Sequence, residues 1–163
     1  MIYISICSAI IVAGIICHWY IACNKNKDVE VFNFRTAMEL LELPVITLYV
    51  GERKLHFLLD TGTDKSIIDE KVLNFISYKD TGENCKLYGL EGTIKQSHYV
   101  NIDLKYNDSL YTNRFQVVDM SEPFKQIKKH HGITLHGFLG TEFFNKYKYV
   151  IDFEKLIAYH KKK

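Results

Sequence analysis

The chain has 163 residues, of which 47% are hydrophobic and 25% charged, with a net charge of +2. That length predicts one domain, and the ordinary composition excludes wholesale disorder. So small a charge excess leaves no electrostatic footprint for nucleic acid, and four cysteines are too few for a disulfide scaffold.

Charge is unevenly placed. Residues 1–24 contain no Asp, Glu, Lys or Arg. Ile2 to Cys23 reads IYISICSAIIVAGIICHWYIAC, and about 20 apolar residues in a helix cross the hydrocarbon layer of a bilayer. His18, Trp19 and Tyr20 stand near its C-terminal end, where an interfacial aromatic belt belongs. Residues 1–24 therefore read as a single-pass transmembrane helix, with 2–23 in the membrane. A cleaved signal peptide fits less well, because no Lys or Arg precedes Ile2 and the apolar run is long. Ala22-Cys23 offers lipoprotein anchoring at Cys23 as an alternative. Lys25 and Lys27 follow the span directly and favour a cytoplasmic domain by the positive-inside rule. Cys7, Cys17 and Cys23 belong to the span, so Cys85 has no cysteine partner within the domain.

Residues 25–43 read as a polar linker and entering segment, with Thr36 to Leu43 either helical turns or a strand. From Pro44 the pattern is β. Val45 to Val50 and Lys54 to Leu59 flank Gly51-Glu52 and predict a hairpin. Ser66 to Phe75 reads as a strand end passing into a short helix. Lys86 to Leu90 and Thr93 to Lys105 are strand-like, with Gly89 and Gly92 between them. Asn107-Asp108 is a turn signal, and Leu110 to Val118 alternates. Ser121 to His131 is polar and leaves loop and helix open. Ile133 to Leu139 is apolar, and Thr141 to Tyr147 suits a short helix with Thr141 as N-cap. Tyr149 to Phe153 and Leu156 to Tyr159 form a closing hairpin, and 161–163 is a basic tail. Many short strands at this spacing predict an all-β barrel or sandwich over residues 44–160.

Chemistry concentrates in Phe57-Leu58-Leu59-Asp60-Thr61-Gly62-Thr63, where an apolar strand runs into a carboxylate. Such a carboxylate needs neighbours that serve it. Thr61 offers a hydroxyl, and Gly62 offers a backbone N–H at close approach. His130, His131, His136 and Cys85 lack metal-ligand spacing: there is no CxxC and no HExxH, so no metal is expected. No Gly-rich phosphate loop or GxSxG elbow appears, and no cofactor is implied.

Phe57 to Ile68 (FLLDTGTDKSII) resembles the active-site segment of retropepsin-like aspartic proteases. Pro44 to Leu59 is similar to the hairpin that precedes it. Gly89-Leu90-Glu91-Gly92 resembles the tip of the family's flap, and Gly137-Phe138-Leu139-Gly140 its second signature. Thr141 to Tyr147 resembles the C-terminal helix. The resemblance covers roughly 44–159. It implies an all-β, retropepsin-like closed barrel with a flap hairpin and one short C-terminal helix, here preceded by the transmembrane helix.

It also implies roles. Family members hydrolyse peptide bonds with two aspartates that share one proton. This chain has one Asp-Thr-Gly, and Asp69, Asp80, Asp103, Asp108, Asp119 and Asp152 lack that context. The resemblance therefore implies a homodimer acting on a peptide or protein substrate, with catalytic Asp60 from each copy. Thr61, Gly62, Thr63, Ser66, Leu139 and Gly140 would support the site, the Thr61 hydroxyl reaching across to the partner. Asp64 would contact the substrate main chain, and Gly89, Leu90, Glu91 and Gly92 would close over it. Retroviral members carry a basic residue after the second glycine, paired with an acid near the active-site loop. Thr141-Glu142 stands there instead, so that ion pair is expected to be absent. The alternative is an inactive module of the same fold that dimerises or binds peptide.

Overall fold

The structure is a computed structural model in which residues 29–88 and 94–161 are described. The expected membrane span, 2–23, and the expected flap tip, Gly89 to Gly92, lie outside the described residues. No helix among the described residues is long and apolar enough to cross a membrane.

Alternation sets the first hairpin. Strands β2 (Val45–Val50) and β3 (Arg53–Leu59) pair antiparallel from Val45↔Leu58 to Val50↔Arg53. Gly51 supplies the positive φ, 58°, that a two-residue turn needs at its first position. Leu55, Phe57 and Leu59 point into the core at 5% exposure or less. The chain then turns through 60–65 and enters β4 (Ser66–Asp69), which runs into a short 3-10 turn, Glu70–Asn74.

Strands β5 (Lys79–Tyr88) and β6 (Ile94–Tyr106) form a long hairpin, irregular between Asp80 and Asn84. Strand β7 (Ser109–Val118) returns along β6 from the Asn107-Asp108 turn. Strand β8 (Gly137–Leu139) pairs parallel to β3 and antiparallel to β4, and so fills the gap between them. The order β2-β3-β8-β4-β7-β6, with Tyr49↔Lys105 joining β2 to β6, closes a six-stranded barrel. Closure removes the sheet edges that would otherwise invite aggregation. Strand β5 hangs from β6 outside the ring. The expected mostly-β closed barrel is thus present.

The helical content exceeds one C-terminal helix. Helix α1 (Arg35–Leu41) and helix α2 (Ser121–His131) accompany α3 (Thr141–Tyr147). In α2, Phe124 and Ile127 lie three residues apart and give a polar segment one apolar stripe against Val45, Leu135 and Phe138. Pro123 sits in the first turn, and Gly132 ends the helix at φ 74°. Thr141 is the first residue of α3 rather than its N-cap; Gly140 occupies the cap.

The segment read as linker and entry is folded from Val29 onward. Strand β1 (Val29–Asn33) pairs with β10 (Ile157–Lys161), which pairs with β9 (Val150–Asp152). The alternation Glu30, Phe32 inward and Val31, Asn33 outward is a half-buried strand. Phe32 is fully buried, with its ring stacked on Tyr149 (centroids 4.5 Å) and edge-on to Tyr106 (4.6 Å). Replacing Phe32 by Ala should cost about 3–5 kcal/mol, which denaturant unfolding of the full chain will measure. A loss below 1 kcal/mol would exclude β1 from the cooperative core.

Candidate active site

Because β8 lies between β3 and β4, the 60–65 loop must cross the C-terminal end of β8. The loop is fastened there by backbone bonds. The Asp60 N–H donates to the Leu139 carbonyl (3.0 Å), the Thr141 N–H to the Thr63 carbonyl (2.9 Å), and the Glu142 N–H to the Asp64 carbonyl (3.0 Å). The buried Ser66 hydroxyl accepts from the Gly140 N–H at 3.1 Å. Ser66 therefore holds the second glycine rather than Asp60 itself. The Thr141 hydroxyl also donates to the Thr63 carbonyl, at 3.2 Å.

Asp60 is half-buried at the end of β3, and its Oδ1 accepts the Gly62 N–H at 2.8 Å. A Cβ on Gly62 would lie 3.1 Å from that oxygen. Thr61 and Asp64 are exposed beside it. Thr63 turns its hydroxyl to the Lys65 carbonyl, at 3.1 Å. Gly140 is a packing glycine: a Cβ there would sit 2.4 Å from the Lys65 carbonyl oxygen. Gly137 is tighter still, at 2.3 Å from the Ile67 oxygen. The structure thus gathers Asp60, Thr61, Gly62, Thr63, Asp64, Ser66, Leu139 and Gly140 into one loop cluster.

An ion pair does join the two loops. Lys65 Nζ lies 3.0 Å from Glu142 Oε2. The hydrogen bond to that carboxylate holds the Lys65 ammonium above its usual range. The basic partner lies in the Asp60 loop and the acid follows the second glycine, so this is a different pair from the one expected to be absent, with the charges reversed. Its half-exposed position limits it to roughly 0–1 kcal/mol. The sequence signal was available, since Lys65 and Glu142 each lie within two or three residues of a signature, but only the folded loops show that they meet.

Two histidines brace the strands beneath. His136, just before β8, accepts the His56 N–H at Nδ1 (3.0 Å) and donates its own N–H to the His56 carbonyl (2.9 Å). His56 Nδ1 meets the Thr47 hydroxyl at 3.0 Å. His136 Nδ1 must therefore be unprotonated. Burial, then the neighbouring His56, pushes His136 below the usual histidine range; Asp69 opposes this. Burial and Lys54 push His56 down as well. His136, a poor metal candidate by spacing, serves as a hydrogen-bond acceptor. Among the described residues no cluster of three His, Cys, Asp or Glu converges to hold a metal ion.

A closed barrel that holds an Asp-Thr-Gly loop over the end of an inserted strand matches the arrangement expected of an aspartic protease. Residues 41–150 match the retroviral aspartyl protease family, and the chain belongs to it. No curated protein matches the chain significantly. Among solved structures it is similar to EIAV protease complexed with the inhibitor HBY-793. That match has 17% identity and a TM-score of 0.45, covering 64% of this chain and 86% of the other. It is also similar to the retroviral protease-like domain of Ddi1 from Leishmania major. There the identity is 8% and the TM-score 0.49, covering 69% of this chain and 82% of the other.

Gly140→Ala should destabilise the protein by about 2–3 kcal/mol, since backbone rather than a flexible side chain blocks the new methyl. Thermal unfolding checks this, and an unchanged melting temperature would contradict the packing. The histidines set an acid limit. Their folded pKa values lie below the ordinary 6.5, so the unfolded chain binds more protons and stability falls as pH drops from 6.5 through the folded values. His136→Asn keeps an acceptor without the titration. Its stability–pH curve should be flatter below pH 6.5 than that of the wild type, as read by denaturation at a series of pH values.

Proposed function

We propose that this chain is an aspartic-type endopeptidase that works as a homodimer, with one Asp60 from each copy flanking a shared water. The single observation that carries this reading is the placement of Asp60: half-buried, tied by its N–H to Leu139, and oriented by Gly62. One carboxylate cannot do the chemistry alone. Two placed across a two-fold axis share a proton, because neighbouring carboxylates cannot both ionise cheaply. The ionised Asp60 takes a proton from the water, whose oxygen attacks the scissile carbonyl carbon. The protonated Asp60 gives its proton to the carbonyl oxygen. The tetrahedral adduct then collapses to the acid as the C–N bond breaks, the departing nitrogen taking the proton that the pair removed from water. Peptide cleavage should peak at acidic to near-neutral pH, as read from a pH–rate profile.

Exposed Thr61 would bond the partner's loop, and exposed Asp64 would meet the substrate main chain. Gly89 to Gly92 would grip an extended peptide by strand addition. Residues 2–23 would anchor the protein as a single pass, with the domain on the cytoplasmic side. Confinement in the bilayer would raise the effective concentration of the two copies.

Asp60→Asn keeps the Gly62 bond but should abolish peptide cleavage with the fold intact. Mixed one-to-one with wild type and allowed to exchange, it should leave about one quarter of the activity, against about one half for a monomeric enzyme. Wild-type protein that binds peptides without cutting them would favour the inactive module.

A further inference from the structure

We propose that the recess between the end of β4 and α2 binds a phosphomonoester dianion. The recess has a volume of about 230 Å³. Phe124 and Leu135, both buried, give it an apolar floor. Ser121, Lys125 and Lys128 border it from α2. They stand at i, i+4 and i+7, which places them on one face of the helix. Lys71, from the 3-10 turn after β4, and Asp69, the last residue of β4, border it from the other side. The recess is separate from the candidate active site. Ser66, which holds the Gly140 N–H, lies at the opposite end of β4 from Asp69, about 10 Å along the strand.

Two independent observations point to an anion. The first is charge. Lys125 and Lys128 lie three apart on one helix, so their like charges are neighbours and repel. Lys71 adds a third ammonium group. Among the described residues only Lys125 has an acidic ion-pair partner, Glu122 at 3.7 Å, and both of those side chains are largely exposed. Asp69 is already engaged, its Oδ1 accepting the Met120 N–H at 3.2 Å. Three ammonium groups and one carboxylate leave the lining at net +2. The second observation is a donor. The Ser121 hydroxyl is buried without a hydrogen-bond partner among the described residues, and such a group is costly until an acceptor reaches it. The helix backbone offers little, because the Ser121 N–H is given to Asp119 and Pro123 has none. A phosphomonoester carries a charge of roughly −1.5 to −2 at neutral pH and three strong acceptor oxygens. A carboxylate would supply only half of the charge that the lining calls for.

The test is calorimetric titration of the full chain, in a nonionic detergent, with three probes. These are inorganic phosphate, a phosphoserine peptide, and the same peptide with glutamate in place of phosphoserine. The two phosphate probes should bind, and the glutamate peptide should bind at least about tenfold more weakly than its phosphorylated counterpart. The double variant K71Q/K128Q should weaken phosphate binding by at least about tenfold without lowering the melting temperature. Ser121→Ala should weaken it by a smaller factor, also without lowering the melting temperature. Tighter binding of the phosphopeptide than of inorganic phosphate makes a phosphorylated protein the source of the ligand, and equal affinity makes it free phosphate; both results support the site. Three results would overturn it: neither phosphate probe binding at millimolar concentration, binding that survives in K71Q/K128Q, or equal affinity for the glutamate peptide. Because every readout is binding or melting, the outcome does not depend on whether the chain cleaves peptides.

Discussion

Strand β8 enters the barrel between β3 and β4, parallel to one and antiparallel to the other, and the position of Asp60 depends on that insertion. Were β3 and β4 hydrogen-bonded to each other, a short turn would join them and Asp60 would sit at a hairpin tip in water. With β8 between them, the joining loop must bridge a full strand width. The backbone groups at the end of β8 are then free to hold it, and the Leu139 carbonyl takes the Asp60 N–H. The site is therefore a consequence of strand order before it is a consequence of any side chain.

That arrangement explains where glycine is required. Gly137 and Gly140 bound the inserted strand, and at both positions a Cβ would strike backbone of the Asp60 loop or of β4. The close approach lets Ser66 cap the Gly140 N–H and lets Thr141 and Glu142 bond the loop carbonyls. The Ser66 bond is buried, where an unpaired group costs about 1–3 kcal/mol. The Lys65–Glu142 pair adds charge complementarity across the same seam, but its half-exposed position makes it the lesser contributor. Beneath the loop, the His56–His136 bonds join β3 to the residue before β8, so the seam is braced from both sides.

The second sheet extends the barrel's core. Phe32 and Phe34 from the entering segment are almost fully buried with Phe143, Tyr149 and Ala158 from the last third of the chain. Each such aromatic contributes on the order of 2–3 kcal/mol through burial. Segments at the two ends of the described chain thus close one cluster, and α3, which follows the second glycine, packs into it through Phe143 and Phe144.

Much of the fold was legible along the chain. Period-two patterning showed most strands and Gly51-Glu52 the first hairpin, signals carried by neighbouring residues. That the loops of Asp60-Thr61-Gly62 and Phe138-Leu139-Gly140 belong together came from the family resemblance. Tertiary structure decided the rest. The strand nature of Val29–Asn33 depends on β10, more than a hundred residues away. The helix at Ser121–His131 depends on Phe124 and Ile127 finding Val45 and Phe138. The Lys65–Glu142 pair and the His56–His136 brace have no meaning along the chain, because a charge or a ring nitrogen acquires its partner only when strand order sets two distant loops side by side.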